Sequence, residues 1–204
     1  MGRIHQGLEK GGLQEEEITS NCLDLFDLTD LLQPSYIWDM KIFLIGFMGS
    51  GKTYWGRIWA ANGGLEFYDL DELIEKTENR SVTVIFEEKG ENYFREKEAA
   101  LLRTFSEKEN FLLACGGGVP CFKDNIHWMN ANGTTVYLSA SPLYLFEKIT
   151  NEKDKRPLLK NLNPGEVLFF IEQKLKERNP LYQQAKITLK VNTLNDKSLL
   201  DLNL

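Results

Sequence analysis

The octapeptide Gly46-Phe47-Met48-Gly49-Ser50-Gly51-Lys52-Thr53 constrains this chain more than any other stretch. It fits G-x-x-x-x-G-K-[ST], the phosphate-binding P-loop. Its context fits as well. The apolar run Ile42-Phe43-Leu44-Ile45 precedes it and reads as a buried strand, and helix-compatible residues follow from Tyr54 to Ala61. Glycines let the backbone curl so that successive N–H groups point at one anion. The following helix turns its unpaired N-terminal N–H groups and positive dipole end toward phosphate. Lys52 is placed to reach the outer phosphates of a nucleotide, and the Thr53 hydroxyl to ligate Mg²⁺. Nucleotide binding follows; the use of the nucleotide does not.

Composition narrows the setting. The 204 residues are 42% hydrophobic and 26% charged, which suits one α/β domain plus an extension. No stretch approaches the run of about 18 apolar residues that a membrane span needs, and the N-terminus lacks a secretory pattern. Cys22, Cys115 and Cys121 have no metal-like spacing, and the expected setting is a reducing cytoplasm. Residues 1–39 hold two basic residues against eight acidic ones, a net of −6 that equals the whole chain's charge. The rest is neutral, so no basic footprint for nucleic acid is present. We expect residues 1–39 to be an acidic, non-catalytic and poorly ordered extension. A short amphipathic docking helix within it, over 23–32, is the alternative.

From Met40 onward strand and helix signals alternate. Strands are expected over 41–45, 65–68, 111–114, 134–138 and 187–191. Helices are expected over 52–61, 71–78, 81–89, 93–108, 122–130, 141–149 and 164–177, with a weaker one near 195–201. That order implies a parallel sheet covered on both faces. A charge-dense stretch, Thr150-Asn151-Glu152-Lys153-Asp154-Lys155-Arg156, interrupts it. It reads either as a solvated loop or as a lid, at about 148–162, that closes over nucleotide.

Other residues gather where ligands bind in such sheets, beyond the strands' carboxyl ends. Asp69 and Asp71 close the second strand. One carboxylate there can support Mg²⁺ and the other can orient or deprotonate an acceptor hydroxyl; Asp71 can equally cap the helix that follows. Gly116, Gly117 and Gly118 follow the third strand and can present backbone N–H groups to a substrate; a tight turn is the plainer reading. Arg95, Arg156 and Arg178 are the side chains suited to bidentate recognition of carboxylate or phosphate, although single arginines are more often surface residues.

The set Gly46 to Thr53, Asp69-x-Asp71, Phe94-Arg95-x-x-Glu98, Gly116-Gly117-Gly118, Arg156-Pro157-Leu158-Leu159 and Arg178-x-Pro180-Leu181-Tyr182 resembles shikimate kinase in order and spacing. The resemblance covers about residues 40–195. It implies an α/β P-loop fold of the nucleoside-monophosphate-kinase type, with three layers, a five-stranded parallel sheet and a mobile lid. It implies transfer of the ATP γ-phosphate to the 3-hydroxyl of shikimate in aromatic amino-acid biosynthesis, with Mg²⁺. It carries roles over to matching positions. Lys52, Asp71 and Arg156 become catalytic. Gly49, Ser50, Gly51, Lys52, Thr53, Tyr54 and Arg156 hold nucleotide, and Thr53 and Asp69 hold the metal. Asp71, Arg95, Gly116, Gly117, Gly118 and Arg178 hold shikimate, the two arginines taking its carboxylate. Val82, Phe86 and Phe94 would form an apolar floor. A monomer acting on a small molecule, with no nucleic-acid or membrane partner, is expected.

The chain departs from that pattern in places. Tyr54 stands where a small hydroxyl residue is usual, which leaves an α-phosphate contact to the backbone. Cys115 replaces a threonine before the glycines. The adenine-stacking arginine has no clear match, and Lys148 is the nearest cation. Two rivals are carried forward: a gluconate-type kinase of the same fold, and a nucleotide-dependent switch without acceptor chemistry.

Overall fold

The computed structural model of the protein describes residues 40–150, 159 and 162–202. The extension 1–39 and the lid residues 151–158, with Arg156 among them, lie outside the described residues.

Five strands form one parallel sheet: β1 (Lys41–Ile45), β2 (Glu66–Asp69), β3 (Phe111–Ala114), β4 (Thr134–Ser139) and β5 (Ile187–Lys190), in spatial order β2-β3-β1-β4-β5. Alternation along β1 divides the core. Phe43 and Ile45 face one apolar layer with Phe111, Leu113, Ile74 and Phe94. Ile42 and Leu44 face the other with Leu112, Val136 and Trp59. Strands buried on both faces read as continuous apolar runs, which is why β1 and β3 are so plain in the sequence.

The helices are α1 (Lys52–Gly63), α2 (Leu70–Glu78), α3 (Val82–Arg103), α4 (Asn125–Asn132), α5 (Pro142–Thr150) and α6 (Pro164–Tyr182). Several depart from the sequence expectation. The segments 81–89 and 93–108 are one helical run, kinked at Gly90, whose φ of 81° and ψ of 168° are non-helical. Glycine adopts positive φ without steric cost, so helix resumes directly at Glu91. The run also ends earlier than expected, at Arg103. A 3₁₀ turn over Val119–Cys121 delays α4 to Asn125. The weak helix near 195–201 is only a 3₁₀ turn, Leu200–Leu202. Helix α6 runs past its expected end to Tyr182 and tolerates Pro180 within its last turn.

β1 is the topological switch point, with β3 on one side and β4 on the other. The carboxyl ends of β1, β3 and β2 therefore lie side by side. The P-loop, Gly116 to Gly118 and the Asp69–Asp71 corner open onto one crevice.

Candidate active site

At the phosphate end the backbone does the shaping. Gly49 and Gly51 have φ of 79° and 87°, and Gly51 sits at the N-cap of α1 without a side-chain cap. A Cβ on Gly49 would lie 2.8 Å from Ile149. Uncapped N–H groups at such a terminus want an anion. Lys52 Nζ donates to the carbonyls of Gly46 and Phe47, both at 3.0 Å, so the ammonium rests against its own loop. Ser50 is fully buried and its hydroxyl has no protein partner; it contributes its amide rather than its side chain to the loop. Tyr54 is 65% exposed at the cleft rim, edge-on to Trp55 at 5.1 Å.

Thr53 Oγ1 donates to Asp69 Oδ2 at 2.7 Å, joining α1 to the end of β2. A hydroxyl and a carboxylate in contact beside a phosphate loop suit a magnesium ion that keeps waters and phosphate oxygens as its other ligands. Among the described residues no cluster of three or more His, Cys, Asp or Glu could hold a metal unaided. A metal carried in with a nucleotide fits this donor set.

Capping falls to Asp69, not Asp71. Asp69 Oδ1 accepts from the Asp71 amide at 3.0 Å, and α2 begins at Leu70. Asp71 is thereby left for the cleft. Its Oδ1 is buried with no partner. Burial, with the neighbouring Asp69 charge, pushes its carboxyl up to about 6, against the pull of Lys52 and Arg95.

Glu98 is the group that sequence reasoning passed over. It stands in the Phe94-Arg95-x-x-Glu98 motif but carried no role. It is fully buried; Oε2 accepts from Arg95 Nη1 at 2.6 Å, while Oε1 has no partner. Burial raises its pKa to about 7, with Arg95 opposing. The usable signal was its spacing: three residues after Arg95 places both side chains on one helix face.

Gly116 to Gly118 exist for closeness. A Cβ on Gly116 would stand 2.5 Å from Glu98 Oε1 and 3.0 Å from Asp71 Oδ1. Two unpartnered buried carboxylate oxygens thus flank one glycine. An unpaired buried acceptor costs about 1–3 kcal/mol, so such a pair marks a place for ligand hydroxyls. A Cβ on Gly118 would lie 2.3 Å from Arg95 Cζ. Gly117 packs between the P-loop and Arg178, and its carbonyl accepts from the Tyr182 hydroxyl at 2.5 Å. Arg178 itself lies with Cζ 5.5 Å from the centre of the Phe47 ring.

These groups line one cleft of about 740 Å³, within the usual range for small-molecule sites. Gly49, Gly51, Lys52, Thr53, Tyr54, Asp69, Asp71, Arg95, Gly116, Gly117, Gly118 and Arg178 all border it, as do Val82, Phe86, Phe94 and Lys148. Of the expected site residues, Ser50 lies behind the wall and Arg156 outside the described residues. The Cys115 thiol is buried, 3.7 Å from the Leu113 carbonyl oxygen and 3.9 Å from Met129 Sδ.

The shikimate kinase family model matches residues 48–201. The chain belongs to the shikimate kinase family. A shikimate kinase of Phocaeicola vulgatus is 43% identical over 157 residues, 77% of this chain and 90% of that protein. The solved shikimate kinase of Bacteroides thetaiotaomicron superposes with a TM-score of 0.76 at 37% identity, over 80% of this chain and 98% of that one. One from Acinetobacter baumannii, solved in complex with shikimate, gives 0.73 at 32% over 82% and 92%. A gluconokinase from Sinorhizobium meliloti shares the fold alone, at 15% identity and a TM-score of 0.50. The chain is an ATP- and Mg²⁺-dependent kinase that phosphorylates shikimate in aromatic amino-acid biosynthesis.

Proposed function

We propose that transfer occurs at the 3-hydroxyl of shikimate, with Asp71 aligning that oxygen and taking up its proton. The observation that carries this is the unpartnered, buried Oδ1 of Asp71, in the same cleft as Lys52. A carboxylate whose pKa lies near neutrality is suited to accept a proton at working pH. Bound ATP supplies the phosphoryl group, and Mg²⁺ with it neutralises charge there. Lys52 leaves its two carbonyls and reaches the phosphate oxygens. Thr53 and Asp69 hold the metal. Arg95 and Arg178 take the substrate carboxylate, while Gly117 and Gly118 allow the close approach. Val82, Phe86 and Phe94 support the ring face. Arg156, at the end of the lid segment, adds positive charge over the phosphates and excludes water, which limits hydrolysis. Positioning and electrostatics carry such a reaction.

We further propose that the enzyme works as a cytoplasmic monomer with residues 1–39 outside the catalytic unit. Support for that boundary comes from the shikimate kinase family match, which covers residues 48–201. No described helix is long and apolar enough to cross a membrane.

A coupled ADP-release assay with shikimate, gluconate and other sugar acids tests the activity. Shikimate alone is expected to drive ADP release; a preference for gluconate, or nucleotide binding without acceptor-dependent release, would overturn the reading. Arg178→Ala tests the carboxylate assignment. It should weaken shikimate binding by roughly ten- to a hundred-fold, since a charge-assisted contact is worth about 1.5–3 kcal/mol. ATP affinity should hold.

A further inference from the structure

Arg95 has two carboxylate partners, and they differ in kind. Glu98 is buried and binds Nη1 at 2.6 Å. Glu91 opens the second half of α3, and its side chain is 51% exposed. Its Oε1 accepts from both Arg95 Nε, at 3.2 Å, and Nη2, at 2.9 Å. Two donors thus converge on one oxygen. A guanidinium edge is matched by a carboxylate that offers one oxygen to each donor, so this contact is poorer than the one a free carboxylate can make. The guanidinium is fixed in place. Gly118 leaves no room for even a methyl group on that side, and the Phe94 and Phe86 ring centres stand 5.6 and 5.9 Å from Cζ. Of the three charged groups, only Glu91 is free to swing outward.

We propose that Glu91 is a resident competitor for the substrate carboxylate, filling the Nε–Nη2 edge of Arg95 until an anionic ligand displaces it. The inference rests on the reading that Arg95 holds that carboxylate. Room for the displaced side chain exists. Glu91, Asn92, Cys121 and Phe122 line an open hollow of about 410 Å³ that also borders Arg95 and Arg178. The competitor makes selection stricter. A ligand with a two-oxygen anionic group restores what it removes from Arg95, whereas a neutral ligand does not and leaves Glu91 where it is. Because the Glu91 half of this (i, i+4) contact is open to solvent, the competition is mild, about two- to five-fold in affinity.

Calorimetric titration of the full chain without nucleotide, using shikimate and its methyl ester at low and high salt, tests this. Glu91→Gln and Glu91→Ala are each expected to bind shikimate about two- to five-fold tighter than the parent at low salt. That gain should shrink as salt screens it, and the ester should gain nothing. Glu96→Gln removes an exposed charge from the same helix, one whose carboxylate pairs with Lys123. An equal gain there would make the effect a general field and overturn the proposal. So would unchanged or weaker shikimate binding in both Glu91 variants, or an equal gain for the ester. Arg95→Ala separates the two levels. If it binds shikimate as the parent does, the carboxylate reading fails and the competitor with it. If it loses affinity while the Glu91 variants gain none, only the competitor fails.

Discussion

The phosphate end of the cleft is made from eight consecutive residues, whereas the acceptor end draws on α2, α3, the turn after β3 and α6. At the phosphate end the proposed ligand contacts are backbone N–H groups and a lysine on a part-exposed loop, and the glycines there answer to backbone conformation. At the acceptor end the proposed contacts are mostly side chains, and two carboxylates there, Asp71 and Glu98, are buried with an unpartnered oxygen each. The glycines there answer to crowding instead: Gly116 and Gly118 have ordinary φ but no room for a Cβ. The proposed phosphate contacts are therefore local in the chain. Acceptor recognition is non-local and sits on charge whose burial the fold must sustain.

Changing each end should produce different damage. The largest effect belongs to Lys52→Met. Turnover should fall by roughly 10²–10³-fold or more, as for loss of a preorganised group facing developing charge. The melting temperature should stay within about 2 °C, because Lys52 is only part-buried and its ammonium rests on carbonyls of its own loop. Measuring kcat and thermal melts together checks this, and near-normal turnover would dissolve the contrast. Next comes Gly118→Ala. Its new methyl group would displace the Arg95 guanidinium, so shikimate affinity should fall about ten-fold while ATP affinity holds. An equal loss for both ligands, read by titrating each separately, would mean that the two ends are mechanically one.

The same contrast governs what was legible in the sequence. The P-loop could be read because its whole signal is contiguous, and β1 and β3 because a doubly covered strand leaves an unbroken apolar run. Asp69 and Asp71 were legible as a pair, but not which of them caps α2. That depended on β2 ending at Asp69 rather than one residue sooner. Gly90 was visible as a break, yet nothing local says that helix resumes at the very next residue. Glu98 was hidden for a different reason. In Arg95-Glu96-Lys97-Glu98 it looks like one more solvated charge, and only packing against Gly116 and Arg95 buries it.

Buried carboxylates also make the acceptor end pH-sensitive in a way the phosphate end is not. Glu98 is raised from 4.5 to about 7 by burial, so the folded chain holds its proton more tightly than the unfolded one. Its stabilising share is fully present below about pH 4.5 and is lost as pH rises through about 7. Glu98→Gln cannot ionise there. The parent's melting temperature relative to this variant should therefore drop from pH 5 to pH 8 by roughly 5–10 °C, from about 2.5 kcal/mol lost across that window at 2–4 °C per kcal/mol. Melts in a metal-chelating buffer give the answer. A constant difference across that range would mean that Glu98 stays ionised in the fold.

The smallest effect is expected from removing residues 1–39. The described residues that line both ends of the cleft lie beyond Met40, and the family match begins at residue 48. Met40 is itself already tied to the sheet: its carbonyl accepts from the Phe111 amide at 3.0 Å, and its amide donates to Asn110 Oδ1 at 3.4 Å. A chain that starts at Met40 keeps these bonds and the whole of β1. It should melt within about 2 °C of the full chain, and its kcat/KM should stay within about two-fold. The alternative follows from the leucines and Phe26 between Leu23 and Leu32, which could contribute about 1.5–3 kcal/mol each on burial, before ordering entropy is subtracted. Paired melts decide between the two. A loss above about 5 °C on truncation corresponds to more than 1 kcal/mol for a domain of this size, and would make the acidic extension a structural part of the kinase.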